Sequence, residues 1–468
     1  MSQPYPDHPQ LRGNFAPLRM ECDLDDVIIS GEMPRDLDVT YYRNGPDPQF
    51  PPRGHHHWFG GDGMVHSFEI QNGKVRYHNR WARTVKWQLE REAGESLYNM
   101  MNPMENDPQV HGVVEDGVAN TNIVWHAGKL LALEEGHAPF ELDPQTLESR
   151  GPHTFADKLS GPMTAHPKID PETGEMLFFG YMANGPFSPE IAYHVVAPDG
   201  SLRRSEVFTA PYPAMVHDFI TTKEHVIFPI FPLTGSLERA MSGQPPFAWE
   251  PDKGTHVGVM PRDGSVADLR WFETDACFVF HPMNAYTDGT TIHAHVMQFE
   301  EAPLFPHLDG SAPDPKKANA RLAHWCIDLA SNSNGIKRTY LDDITGEFPR
   351  LDERRTGLSY QHGFYAASTR NNGGLGFDAL MHHDFGSDKT SRYDLPAGDG
   401  TGEPVFVPKS SQAAEGEGYL LSLFYRAQDN RTDLAVFDAQ QIKTGPIALA
   451  QLPHRVPYGF HGNWRPNV

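Results

Sequence analysis

The stretch VHSFEIQNGKVRYHNRW, residues 65–81, reads as two runs of alternating apolar and polar residues joined at Asn72-Gly73. An Asn-Gly pair supplies the two positive φ angles that a two-residue turn requires, so this stretch predicts an antiparallel β-hairpin. The same pattern recurs in NIVWHAGKLLALEE (122–135), IAYHVVAPDGSLRRSEVF (191–208), HVGVMPRDGSVADLRWF (256–272) and LLSLFYRAQDNRTDLAVFDA (420–439). No long segment of helical period separates these runs. Two short stretches, 89–101 and 236–243, are helical candidates, and the second ends on a glycine suited to a helix cap.

The 468 residues include 42 glycines and 41 prolines. That punctuation fits many tight turns, and hairpins repeated over such a length indicate an all-β fold, a propeller or a large sandwich. At roughly 50–70 residues per blade, a propeller of this length has about six to eight blades. No Pro/Ser-rich linker or low-complexity tract interrupts the chain, so residues 1–468 read as one domain.

The net charge of −22 excludes a nucleic-acid binder, which needs clustered Lys and Arg against phosphates. No apolar run reaches the ~18–20 residues that span a bilayer. The N-terminal MSQPYPDHPQLRG lacks the charged and apolar regions of a signal peptide. Cys22, Cys277 and Cys326 are odd in number, far apart and without CxxC spacing, which reads as reduced thiols and a cytoplasmic location.

Among 25 histidines, a metal site has to be chosen by context. The run His55-His56-His57 is poorly suited, because neighbours in an extended strand point alternately to opposite faces. Four others share a setting at the end of an apolar run: His166 in GPMTAHPKIDPETGEMLFFGY (161–181), His217 in YPAMVHDFITTKEHVIFPI (212–230), His281 in FVFHPMNAYTDG (278–289) and His461 in RVPYGFHGNW (455–464). In a propeller, residues at strand ends in different parts of the chain converge on the central axis. Each of the four, taken alone, reads more readily as a hydrogen-bonded structural histidine than as a ligand.

The protein resembles the carotenoid cleavage oxygenase family, which includes the retinal pigment epithelium isomerase and the bacterial lignostilbene dioxygenases. The resemblance runs nearly end to end, through YYRNGPDPQF (41–50), HWFGGDGMVHSF (57–68), HPKIDPETGEMLFFGY (166–181), MVHDF (215–219), FHPMNAY (280–286), FPRLDER (348–354), EPVFVP (403–408), EGEGYLLSLFY (415–425) and GFHGNW (459–464). It implies a seven-bladed β-propeller with short helices and loops capping the metal face. It also implies one Fe(II) per chain held by His166, His217, His281 and His461, with Glu135, Glu353 and Glu415 accepting hydrogen bonds from the outward ring nitrogens. Such partners fix the tautomer and orientation of each ring. The implied reaction is insertion of O2, the co-substrate, across a conjugated C=C bond to give two carbonyl products. Neutral imidazoles leave the iron its full charge, and no nucleophile–base motif competes.

The lignostilbene branch uses a Lys just before the first of these glutamates, with a Tyr upstream, to engage a 4-hydroxyphenyl group. Here Glu134 and, within about a residue, Met100 stand at the matching positions, with Tyr98 close by. A carboxylate at 134 repels a phenolate, so the expected substrate is a carotenoid or apocarotenoid. The alternatives are a stilbenoid or phenylpropanoid alkene, an isomerase-hydrolase, and a propeller that only binds. Phe59, Tyr98, Met100, Glu134 and Phe280, with Trp58 and Met101, are the candidate substrate contacts. Peripheral membrane contact is expected through the loops 184–190 and 301–307, which carry Phe187 and Phe305.

Overall fold

The structure, a computed structural model, describes residues 4–100, 102–370 and 376–467. Its strands form seven sheets of four to six strands, and a separate ribbon pairs Leu233–Gly235 with Phe247–Trp249. The decisive hairpin joins Gly63–Gln71 to Lys74–Trp81, with Asn72 at φ 53° and Gly73 at φ 76°.

The first helix runs Val85–Ala93, earlier than the 89–101 expected. Thr84 caps it by accepting from the Trp87 N–H, and Gly94, at φ 76°, ends it. Glycine takes that left-handed conformation without a Cβ clash. The apolar residues beyond it pack as a loop cluster of Leu97, Tyr98 and Val110, with Leu89 and Met100 against them. The second helix, Leu237–Met241, is capped by Ser236.

Two compact units make up the chain. One comprises residues up to Ala165, Leu395–Ala413 and the chain from Glu417 onward, and holds three sheets. In it Gly462–Pro466 pairs with Val39–Pro46, and Ile28–Gly31 pairs with Ala448–Gln451. Strands from the two ends of the sequence thus cover edges that would otherwise be open to pairing. Val39–Pro46 is buried at every position, whereas Lys74–Trp81 alternates buried with less buried residues. The inner strand packs on both faces, and the outer strand keeps one face toward solvent. Between two of the sheets, Tyr41, Phe68 and Val75 meet Val405, Leu421 and Val436.

The other unit, His166–Asp394 with Ala414–Gly416, holds four sheets. One is the meander Phe278–Asp288, Thr291–Phe299, Arg321–Asp328 and Lys337–Tyr340. Two strands that open sheets here are irregular. Phe278–Asp288 shifts register between Val279 and Pro282, and Thr345–Leu351 shifts between Glu347 and Arg350. An extra residue in a strand bends it and re-aims the side chains beside it. Among the described residues no helix is long and apolar enough to cross a membrane, and the three cysteines are free.

Candidate metal centre

His166 and His217 lie in the extended segments just before the strands Lys168–Ile169 and Ile220–Thr221. His281 falls in the irregular step between Val279 and Pro282, where the bulge turns its ring out of the ladder. The Nε2 atoms of His166 and His217 are 2.9 Å apart, and those of His217 and His281 are 3.1 Å apart. Among the described residues these three and His461 form one group, each offering a ligand atom within 4.8 Å of the others. All four are buried.

The other ring nitrogens show which atom faces inward. His281 Nδ1 is 2.5 Å from Glu347 Oε2, and His461 Nδ1 is 2.8 Å from Glu403 Oε1. A carboxylate accepts, so each Nδ1 carries the proton and each Nε2 presents a lone pair. Glu347 Oε2 also accepts from the Phe348 N–H at 2.5 Å, and Glu403 Oε2 from the Gly462 N–H at 2.7 Å. These bonds lock both carboxylates in place. Near His166, Asp218 is anchored by Lys168 at 2.7 Å and stands 3.7 Å from Nδ1, too far to accept a hydrogen bond.

Converging lone pairs repel unless a cation lies among them. Two nitrogens bound at about 2.1 Å stand about 3.0 Å apart at right angles and about 3.4 Å apart in a tetrahedron. The observed 2.9 and 3.1 Å match right angles. Imidazole donors at these separations are within reach of a single ion, and a set of histidines without sulfur suits a transition metal that takes nitrogen ligands.

The structure corrects two of the three expected glutamates. Glu353 is exposed in the turn Glu353–Arg355 and pairs with Arg350. Glu415 accepts from the Gln361 and His362 N–H groups and faces Arg355 at 3.4 Å. The carboxylates on the imidazoles are instead Glu347 and Glu403. Each stands at the head of a segment that carries the resemblance, Glu347 immediately before FPRLDER and Glu403 as the first residue of EPVFVP. Glu135 lies half-buried just beyond the strand Lys129–Leu133. Glu347→Ala and Glu403→Ala are each expected to lower metal affinity about 10–100-fold. Glu353→Ala should leave it unchanged, with metal content after gel filtration as the readout.

Of the candidate substrate contacts, Phe280 packs its ring 5.0 Å from that of His217. Phe59 and Trp58 pack on Phe460, the neighbour of His461, at 5.5 and 4.4 Å. Tyr98 and Met100 belong to the loop cluster around Leu97, and Met101 lies outside the described residues. Sequence reasoning passed over Phe348, whose ring stacks on that of His281 at 5.4 Å.

Glu134 is not a free negative charge. Its carboxylate pairs with His137 Nδ1, while His137 Nε2 lies 2.8 Å from Glu115 Oε1. Burial opposes a charge on His137, but Glu134 and Glu115 outweigh it and push its pKa up to about 11. The imidazolium is therefore shared by Glu134 and Glu115 at neutral pH and offsets one of their two charges. Because the folded value lies above the ordinary 6.5, this group stabilises the fold fully below pH 6.5. Its contribution then falls away as pH rises toward 11. Over that window the denaturation midpoint of the wild type is expected to drop more steeply than that of His137→Gln. Parallel slopes would show that the imidazolium is absent.

Of the two loops expected to touch a membrane, the one at 184–190 leaves Phe187 half-buried, whereas the one at 301–307 buries Phe305. Phe305 is 5% exposed, and Phe247 bridges it to Phe187 through ring contacts of 6.3 and 5.4 Å. The three rings pack on one another, which is where apolar side chains gain most from leaving water.

Residues 15–466 match the family model described as Retinal pigment epithelial membrane protein. The chain is 40% identical to isoeugenol monooxygenase of Pseudomonas nitroreducens, over 98% of each. It is 38% identical to lignostilbene-alpha,beta-dioxygenase isozyme III of Sphingomonas paucimobilis, over 98% of this chain and 97% of that one. The crystal structure of Pseudomonas brassicacearum lignostilbene dioxygenase superposes with a TM-score of 0.96 at 36% identity, covering 100% of both chains. The seven sheets are thus the blades of a seven-bladed β-propeller, and the chain belongs to the carotenoid cleavage oxygenase family of stilbene- and carotenoid-cleaving oxygenases.

Proposed function

We propose that the protein is a non-haem Fe(II) oxygenase, with one iron per chain, that cleaves the alkene double bond conjugated to a 4-hydroxyphenyl ring with O2. The observation that carries the metal assignment is the convergence of four neutral imidazoles, two of them fixed in tautomer by Glu347 and Glu403. Bound iron supplies O2 activation, by which the alkene and O2 become two carbonyl groups with no further reductant. The protein's own residues do the rest. His166, His217, His281 and His461 hold the ion without neutralising its charge, and Phe280 and Phe348 wall the rings of His217 and His281 with apolar surface. Glu135 is the remaining glutamate proposed to accept from a ligand imidazole.

The substrate reading favours a phenylpropanoid or stilbenoid over a carotenoid. The carotenoid expectation rested in part on Glu134 repelling a phenolate, and the His137 imidazolium weakens that ground. The relatives named for isoeugenol and lignostilbene support the same side. Tyr98 adds a residue for the phenol to meet. Its hydroxyl is buried and has no hydrogen-bond partner among the described residues, and burial raises its pKa so that it stays a donor at neutral pH. A buried hydroxyl left unpaired costs about 1–3 kcal/mol, which a substrate phenol oxygen would recover.

The test is O2 uptake by Fe(II)-loaded protein with isoeugenol, 4-hydroxystilbene, 4-methoxystilbene and an apocarotenal. Uptake is expected with the two phenols. Tyr98→Phe is expected to lower kcat/KM for them by about tenfold while barely changing the methoxy compound. Uptake with the apocarotenal alone would return the substrate to the carotenoids and leave the iron site standing.

A further inference from the structure

We propose that one face of the sheet built on Phe278–Asp288 carries a second metal site, formed by His293, His324 and Cys326, for a thiophilic divalent ion of the zinc class. Strand register brings these residues together. His293 lies directly across from Cys326, and His324 is two residues before Cys326, on the same face of its strand. Alternation of side chains along a strand makes such a group unavoidable once the register is set.

The distances suit a tetrahedral ion. Cys326 Sγ is 3.7 Å from His293 Nδ1 and 3.6 Å from His324 Nε2. A tetrahedral centre with bonds of about 2.05 Å to nitrogen and about 2.3 Å to sulfur separates those atoms by about 3.6 Å. The two nitrogens are 3.0 Å apart, which a small ring rotation opens to the tetrahedral span of about 3.4 Å.

Neighbouring rings already hold the ligands in place. Tyr286 stacks on His293 at 5.2 Å, and His295 packs 4.9 Å from His324. His295 is itself fixed by the Tyr360 hydroxyl at 2.8 Å and by stacking on Phe385 at 4.1 Å. All three ligands are half-buried, so solvent can reach the group and supply a fourth ligand. A thiolate with two imidazoles selects zinc-like or copper-like ions over Mg²⁺ and Ca²⁺, which take oxygen ligands. The site shares no residue with the four-histidine group, which contains no sulfur.

That difference gives a specific readout. Co²⁺ bound by a thiolate shows a near-ultraviolet sulfur-to-metal charge-transfer band, and Co²⁺ bound by histidines alone does not. Adding Co²⁺ to the Fe(II)-loaded protein is expected to develop this band with one equivalent. Zn²⁺ should abolish it by displacement, Cys326→Ser should lose it completely, and Cys22→Ser should retain it. The proposal is overturned if wild-type protein with three titratable thiols shows no band in excess Co²⁺. A band that survives Cys326→Ser overturns it equally.

Discussion

His281→Ala is expected to lose bound iron and O2 uptake together, a larger effect than any other single change at the site. The substitution removes one of four converging lone pairs and strands Glu347, which is 8% exposed and bound to the ring that disappears. Loss of an outer partner lowers affinity or activity about 10–100-fold, and loss of the ligand itself exceeds that. Iron content after gel filtration and uptake at an oxygen electrode measure the two effects separately. Adding Glu347→Ala to His281→Ala should recover stability, because no buried carboxylate is left unpaired, yet leave iron binding lost. A His281→Ala protein that keeps its iron and its turnover would remove His281 from the metal site.

The largest effect on stability is expected at Lys86. Its ammonium is buried between Asp62 at 2.7 Å and Glu90 at 2.8 Å, and all three side chains are at most 5% exposed. Glu90 also accepts the N–H groups of Leu97 and Tyr98 at 2.9 and 3.0 Å, so the triad fixes the loop that carries Tyr98. Lys86→Met leaves two facing carboxylates without a cation, and breaking a buried pair this way costs about 3–5 kcal/mol. Urea unfolding followed by tryptophan fluorescence reads the shift. Adding Asp62→Asn and Glu90→Gln to Lys86→Met is expected to restore most of the loss, since the amide oxygen introduced at position 90 can still accept the Leu97 and Tyr98 N–H groups. A loss below about 1 kcal/mol for Lys86→Met would place the triad among ordinary surface pairs.

Turn chemistry and strand alternation were legible without the fold. Asn72-Gly73 announced its hairpin because both residues tolerate positive φ, and the seven sheets follow from repeats of that pattern. The helix at 85–93 was displaced in the reading because LEREAGESLYNMM has helical composition on both sides of Gly94, and only the left-handed glycine shows where the helix stops. The four histidines were legible through their shared setting at strand ends and through the resemblance.

The partners of those histidines were not legible in the same way. Glu347 and Glu353 are six residues apart, one just before FPRLDER and one within it, and composition alone cannot separate them. The irregular step after Glu347 re-aims its carboxylate toward His281, while Glu353 falls in an exposed turn beside Arg350. Glu403 and Glu415 divide likewise, one placed against His461 and Gly462, the other against backbone N–H groups. The charge at Glu134 depended on His137 and Glu115, and the exposure of Phe305 on Phe247. By itself the sequence determined the β architecture, because turn conformation and side-chain alternation are properties of a few neighbouring residues, and it pointed to the four histidines through the family resemblance. Only the tertiary structure decided which carboxylates serve those histidines and which charges are compensated, because bulges and strand register set contacts between residues far apart in the sequence.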